Sequence, residues 1–226
     1  MILNSDISVP AGSAGPADPS DGRGMAARGL LRSRLSCQAF DPRATLSRAA
    51  IEGLIGAAVQ APSAFNLQNW RFVVAHSPNS RSRLKPAAYG QEKITDAAAV
   101  VIVVGIEPVS DAFSALMNRD EEDGRLPASE RERLDRQIGR SYSDPCAGKA
   151  EAIRSASLAA MTLLLAAEAD GIAACPMSGF DPAEVARAFA LAAGETPVLL
   201  VALGRNADPA QVQKQRRPVS AVSSFA

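Results

Sequence analysis

The run Ala97-Ala98-Ala99-Val100-Val101-Ile102-Val103-Val104-Gly105 contains no polar side chain and is rich in β-branched residues. A strand with one wet face alternates apolar and polar residues. An unbroken apolar run instead requires cover on both faces, which places this segment centrally in a sheet sandwiched between layers. Pro197-Val198-Leu199-Leu200-Val201-Ala202-Leu203-Gly204 makes the same demand. The covering layers are legible too. From Ala44 to Gln60, Leu46, Ala50, Ile51, Leu54, Ile55, Ala58 and Val59 recur at helical spacing, with Thr45 or Ser47 placed to cap. Ala150 to Asp170 is a helix apolar on several faces, closed by Gly171, and therefore central or at a subunit interface. Arg71 to Ala75 reads as a strand, Ser80 to Ala88 as a short helix, and Cys175 to Pro182 as a turn before a helix begun by Asp181. The order helix, strand, helix, strand, helices, strand fits an α+β sandwich better than strict βαβ alternation.

Two segments stand apart. Residues 1–27 are rich in Gly, Pro, Ser and Ala without a periodic apolar face, and read as a flexible tail ahead of a single domain spanning 28–226. Between Glu107 and Lys149 charge rises and apolar residues thin out, as expected for a mobile helical lid insert.

Composition narrows function. The 24 basic residues balance 24 acidic ones, so no net field recruits nucleic acid or an anionic membrane. No basic n-region precedes an apolar core, and no later segment reads as long and uncharged enough to span a bilayer. Cys37, Cys146 and Cys175 are odd in number and far apart, and His76 is the lone histidine, which argues for reduced thiols in a cytoplasmic setting and against a zinc site. No triad, carboxylate pair or histidine pair offers acid–base chemistry.

The richest junction is Ala61-Pro62-Ser63-Ala64-Phe65-Asn66-Leu67-Gln68-Asn69-Trp70-Arg71, small and polar residues between helix and strand. Such a loop presents short side chains and backbone N–H groups to a ligand. On chemistry alone an ordinary turn is its commoner meaning. Taken with Arg34-Leu35-Ser36-Cys37-Gln38-Ala39-Phe40, Gly90-Gln91-Glu92-Lys93, Cys175-Pro176-Met177-Ser178-Gly179-Phe180-Asp181 and Lys214-Gln215-Arg216-Arg217-Pro218, the chain from about Leu31 onward resembles the nitroreductase family of FMN-dependent oxidoreductases, in its quinone- or nitro-reductase-like branch. The first of these segments looks like the family's Arg-x-Ser-x-basic-x-Phe opening.

The resemblance implies an α-β-α sandwich with a mixed or antiparallel central sheet, a long central helix, and a homodimer with the site at its interface. It implies FMN as cofactor, NADPH or NADH as donor, and a small aromatic acceptor such as a quinone or nitroaromatic, reduced by a ping-pong route. Arg34, Leu35, Ser36, Lys214 and Arg216 match positions around the FMN phosphate and ribityl chain. Pro62, Ser63, Ala64 and Asn66 match positions under or beside the isoalloxazine ring. Gln91 and Lys93 match a second cofactor segment, and Pro176, Met177, Ser178 and Gly179 match the loop over the opposite ring face, whose N–H groups reach flavin N5 and O4. Ala64, Phe65 and Ser178 would line the substrate pocket. Two residues depart from the pattern: Gln38 stands where many relatives carry a cation near flavin N1 and O2, with Lys93 a candidate replacement, and Phe65 stands where many carry a small residue. The rival readings are a flavin-fragmenting or dehalogenating oxygen-dependent relative and a flavin-binding protein without turnover. Trp70, His76 and Cys175 read as structural.

Overall fold

Every residue of strand β2 (Ala99–Ile106) from Ala99 to Gly105 is buried, because helices cover both faces of its sheet. In the computed structural model, which describes residues 22–107 and 111–226, four strands form one antiparallel sheet in the order β1-β2-β4-β3. The others are β1 (Trp70–Ala75), β3 (Ala173–Met177) and β4 (Glu195–Gly204). The register sets Trp70 against Gly105 and Ala75 against Val100, then Ala99 against Leu203, with a bulge at Val103/Val104.

The pleat divides β2 between two cores. Val100, Ile102 and Val104 join Leu84, Ile94, Met177, Phe180 and Val185 on the face covered by α3 (Pro78–Leu84), α4 (Lys93–Asp96) and α8 (Pro182–Ala188). Val101 and Val103 face Ile51, Leu54, Ala156, Ala160 and Leu163 from α2 (Arg48–Ala58) and α7 (Pro145–Ala169). The result is the expected α-β-α sandwich, here with a purely antiparallel sheet. Gly105 lets α7 approach closely: a Cβ there would lie 2.7 Å from the Ala152 carbonyl oxygen.

Several sequence expectations shift. Ser47, not Thr45, caps α2 by accepting from the Ala50 N–H at 3.1 Å. The turn expected from Cys175 is in part strand β3, since Ala173–Met177 pairs with β4 and Pro176 sits on the sheet's edge, where its missing N–H costs no ladder bond. Helix α7 is by length and composition apolar enough to cross a membrane, contrary to expectation, yet half of its most apolar window is buried against the sheet and α2. Gly22–Ser33 forms a helix, α1, within the stretch read partly as tail, and residues 1–21 of that tail lie outside the described residues. The chain divides into two compact units, residues 1–33 and 34–226, the second containing the sheet.

The charged segment is more ordered in its packing than its composition suggests. Helices α5 (Asp111–Glu122) and α6 (Ala128–Ser141) carry exposed ion pairs, but Met117 and Ile138 bury themselves with Leu67 in a third apolar cluster, joined by Phe65 and Tyr142.

Candidate active site

Two segments from opposite ends of the second unit run side by side. Residues 34–38 lie along β3, the Cys37 N–H donating to the Ala174 carbonyl at 2.9 Å. Residues 211–216 are stitched to them by amides. Gln211 Nε2 donates to the Ser36 carbonyl at 2.7 Å and Gln213 Nε2 to the Arg34 carbonyl at 2.7 Å, while the Gln38 N–H donates to Gln211 Oε1 at 3.0 Å. This brings Leu35, Ser36, Lys214 and Arg216 to the wall of one cleft. One residue before Leu35, the Arg34 Nη1 is buried without a hydrogen-bond partner. Sequence reasoning missed Gln211 and Gln213; the amide-rich Gln211-Val212-Gln213-Lys214-Gln215 was the available signal.

Next along, Lys93 Nζ donates to Gln38 Oε1 at 3.0 Å and lies 3.9 Å from Cys175 Sγ. Gln38 Nε2 in turn donates to the Ser36 carbonyl at 2.9 Å. The pairing of Gln38 with Lys93, read as alternatives in sequence, is thus a physical contact. Burial pushes the Cys175 thiol up, while the nearby Lys93, Lys214 and Arg34 charges oppose that shift. Nothing local in sequence announced these cations around Cys175; the fold gathers them. Cys37 is likewise pushed up, chiefly by burial.

At the third corner, Gln91 Nε2 donates to the Gly179 carbonyl at 2.8 Å and the Ala88 carbonyl at 3.1 Å. Ser178 and Gly179 are exposed, whereas Met177 is 5% exposed, pairs with Leu200 in the sheet and belongs to the core.

The loop 62–68 is separate from these three corners: no hydrogen bond among the described residues joins it to 34–38, 91–93, 176–179 or 211–216. It is tightly wound. Ser63 Oγ accepts from the Gln68 N–H at 2.9 Å, and Asn66 Oδ1 accepts from Gln68 Nε2 at 3.2 Å. Phe65, Asn66 and Gln68 all take left-handed backbone, with φ of 53°, 55° and 45°. Such conformations cost of order 1–3 kcal/mol each and cluster at ligand sites. Pro62 is exposed and Ala64 partly buried; the Phe65 ring meets Tyr142 edge-on, with centroids 6.3 Å apart. Trp70 is core, and His76 is exposed with Nε2 2.8 Å from the Leu46 carbonyl.

Known proteins are similar to this chain in sequence and fold. The family profile described as the Nitroreductase family matches residues 31–205. YodC of Bacillus subtilis (strain 168), which carries the name of an NAD(P)H nitroreductase, is 33% identical over 196 residues, covering 87% of this chain and 96% of its own. A CLA biosynthesis enone reductase of Lactiplantibacillus plantarum is 31% identical over 186 residues, covering 79% of this chain and 84% of its own. A crystal structure from Exiguobacterium sibiricum 255-15, solved in complex with FMN, superposes with a TM-score of 0.80 at 26% identity, covering 88% of this chain and 96% of that one. With the profile spanning most of the second unit and the fold superposing at a TM-score of 0.80, the chain belongs to the nitroreductase family and is an oxidoreductase.

Proposed function

We propose that this enzyme holds FMN in the cradle formed by residues 34–38, 91–93, 176–179 and 211–216, and transfers hydride from NADH or NADPH to a small aromatic acceptor, a quinone or nitroaromatic, by a ping-pong route. The observation that carries this reading is the buried, unpartnered Arg34 Nη1, adjacent in sequence to Leu35 and Ser36, which line a cleft together with Lys214 and Arg216. A buried guanidinium N–H without an acceptor is costly, and a phosphate monoester supplies what it lacks. The donor set fits FMN: a guanidinium with a short hydroxyl suits a dianion, and Lys214 and Arg216 add charge from a second segment.

When bound, FMN would supply the redox chemistry of hydride transfer, which the side chains themselves do not provide. The chain's own contribution is placement. Arg34 and Ser36 anchor the phosphate. Lys93, paired with Gln38, would offer one positive charge to the flavin ring. The exposed backbone of Ser178 and Gly179 offers N–H donors over one ring face. Phe65, with Ala64 and Ser178, walls the acceptor side and favours flat acceptors.

A second copy of the chain completes the site in this reading. Ile153, Leu158 and Met161 on α7 are 40%, 43% and 37% exposed, apolar side chains on a helix whose most apolar window is half buried. The isolation of the 62–68 loop from the cradle also favours a homodimer, in which one copy's loop meets the other's cradle. Three free cysteines accord with a cytoplasmic setting.

An anaerobic spectrum of the FMN-loaded protein tests the reading. NADH or NADPH is expected to bleach the flavin band, and a quinone, a nitroaromatic or an enone to restore it, the faster donor and acceptor defining the preference. Bound flavin that neither donor bleaches would instead indicate a flavin-binding protein without turnover.

A further inference from the structure

Gln91 stands on an unusually fixed platform. The Lys85 N–H to Arg81, Tyr89 N–H to Pro86 and Gly90 N–H to Lys85 carbonyl bonds close successive turns, at 3.0 Å each. Tyr89 and Gly90 both take left-handed backbone, with φ of 54° and 72°. Lys85 Nζ pairs with Glu92 Oε2 at 2.6 Å, and the Ile94 N–H donates back to the Gln91 carbonyl at 3.2 Å, tying the segment to α4. From this platform the Gln91 amide reaches only carbonyl oxygens, those of Ala88 and Gly179, so it is the NH2 end that faces them and both of its donors are used.

The consequence lies in the 178–181 loop. The Phe180 N–H donates to the Ser178 carbonyl at 3.1 Å, a γ-turn centred on Gly179. That bond orients the 178–179 peptide, and because the peptide is trans, the Gly179 N–H points away from the Ser178 carbonyl. Gln91 orients the next peptide through the Gly179 carbonyl. A Cβ on Gly179 would meet Gln91 Nε2 at 3.4 Å, ordinary van der Waals contact, so the amide lies directly against this residue. Downstream, the Asp181 N–H donates to the Ala87 carbonyl at 2.8 Å, and Asp181 caps α8.

Resting on the FMN reading above, we infer that Gln91 is a positioning residue: it pins the Gly179 carbonyl so that the 178–179 backbone donors meet the flavin in a fixed geometry, and thereby sets cofactor affinity and reduction potential. Gln91→Glu is the sharpest test, because a near-isosteric carboxylate would face two carbonyl oxygens with no proton to donate; Gln91→Ala removes the strut without repulsion and guards against a folding defect in the first variant. Hydrogen exchange of residues 178–181 in the FMN-free protein is expected to accelerate in both. The dissociation constant for FMN is expected to rise about tenfold in Gln91→Ala and further in Gln91→Glu, with a shifted flavin potential; a tenfold change corresponds to the loss of about one net hydrogen bond. Lowering the pH should partly restore affinity in Gln91→Glu as its carboxyl regains a donor. Unchanged FMN affinity and potential in both variants would overturn the inference, even if the loop exchanges faster. If the unaltered protein does not bind FMN at all, it is the cofactor reading that fails, and the exchange comparison still reports whether the strut exists.

Discussion

Strand β2 buries every residue from Ala99 to Gly105, whereas α6, which follows in the same chain, buries only Ile138 and covers its remaining surface with ion pairs such as Arg133–Glu130 and Arg136–Glu132. The first is stabilised by area removed from water, the second by one apolar anchor and weak, solvent-screened charges. The candidate site lies between these regimes. Its cradle hangs on the sheet through Cys37, Met177 and Phe180, while Phe65 packs into the small cluster that anchors α5 and α6. If one copy's cradle meets another's wall, as proposed above, cofactor binding and acceptor choice can be altered separately.

Breaking the sheet should have the largest effect. Ile102→Ala, at a side chain with no exposure, is expected to cost about 2–5 kcal/mol by chemical denaturation, with loss of cofactor binding only as the fold is lost. A loss confined to α6 would contradict the contrast. Arg34→Ala comes next: removing a charged donor is expected to weaken FMN binding by about 1.5–3 kcal/mol, roughly 10- to 150-fold, while the melting temperature stays near that of the parent. Isothermal titration would read the first number and calorimetry the second.

The wall should respond differently. Tyr142→Ala removes the ring that meets Phe65, an aromatic pair worth about 0.5–1.5 kcal/mol, and is expected to alter KM among acceptors of different width while leaving FMN affinity untouched. Phe65→Gly, which also relieves left-handed backbone, should change the ranking of acceptors; an unchanged ranking would remove Phe65 from the pocket.

Asp41 offers a check by pH. Arg43 first, and Arg205 second, hold its carboxyl well below the usual carboxylate range. With the folded value depressed, its contribution is complete above the unfolded value of about 3.9 and is lost as pH falls toward the folded one. Asp41→Asn should therefore be less stable than the parent at neutral pH, with the gap closing in acid denaturation curves. The smallest effect is expected at Arg136→Ala, whose exposed pair with Glu132 at 3.4 Å should be worth no more than about 0.5 kcal/mol, diminishing with salt.

The elements that were legible from sequence are those whose patterns are local. The apolar runs at Val100 and Val198 appear as β2 and β4, the helical spacing through Ile51 and Leu54 as α2, and the long apolar helix as α7. Cys175 to Met177 was misread because a short segment with a proline looks like a turn until β4 is beside it. Phe65 and Tyr142 lie far apart in the chain, and nothing in either neighbourhood announces their contact.

The sequence by itself determined the two-sided burial of the central strands, the α+β layering and the family motifs, because hydrophobic periodicity and short motifs are written within a few residues of one another. Tertiary structure alone decided which amides stitch 211–216 to 34–38, that Gln38 and Lys93 are partners, that Lys93 comes within 3.9 Å of Cys175 Sγ, and that Gln91 holds Gly179. Those are contacts between segments that only the antiparallel sheet, with β3 and β4 at one edge, brings within hydrogen-bonding reach.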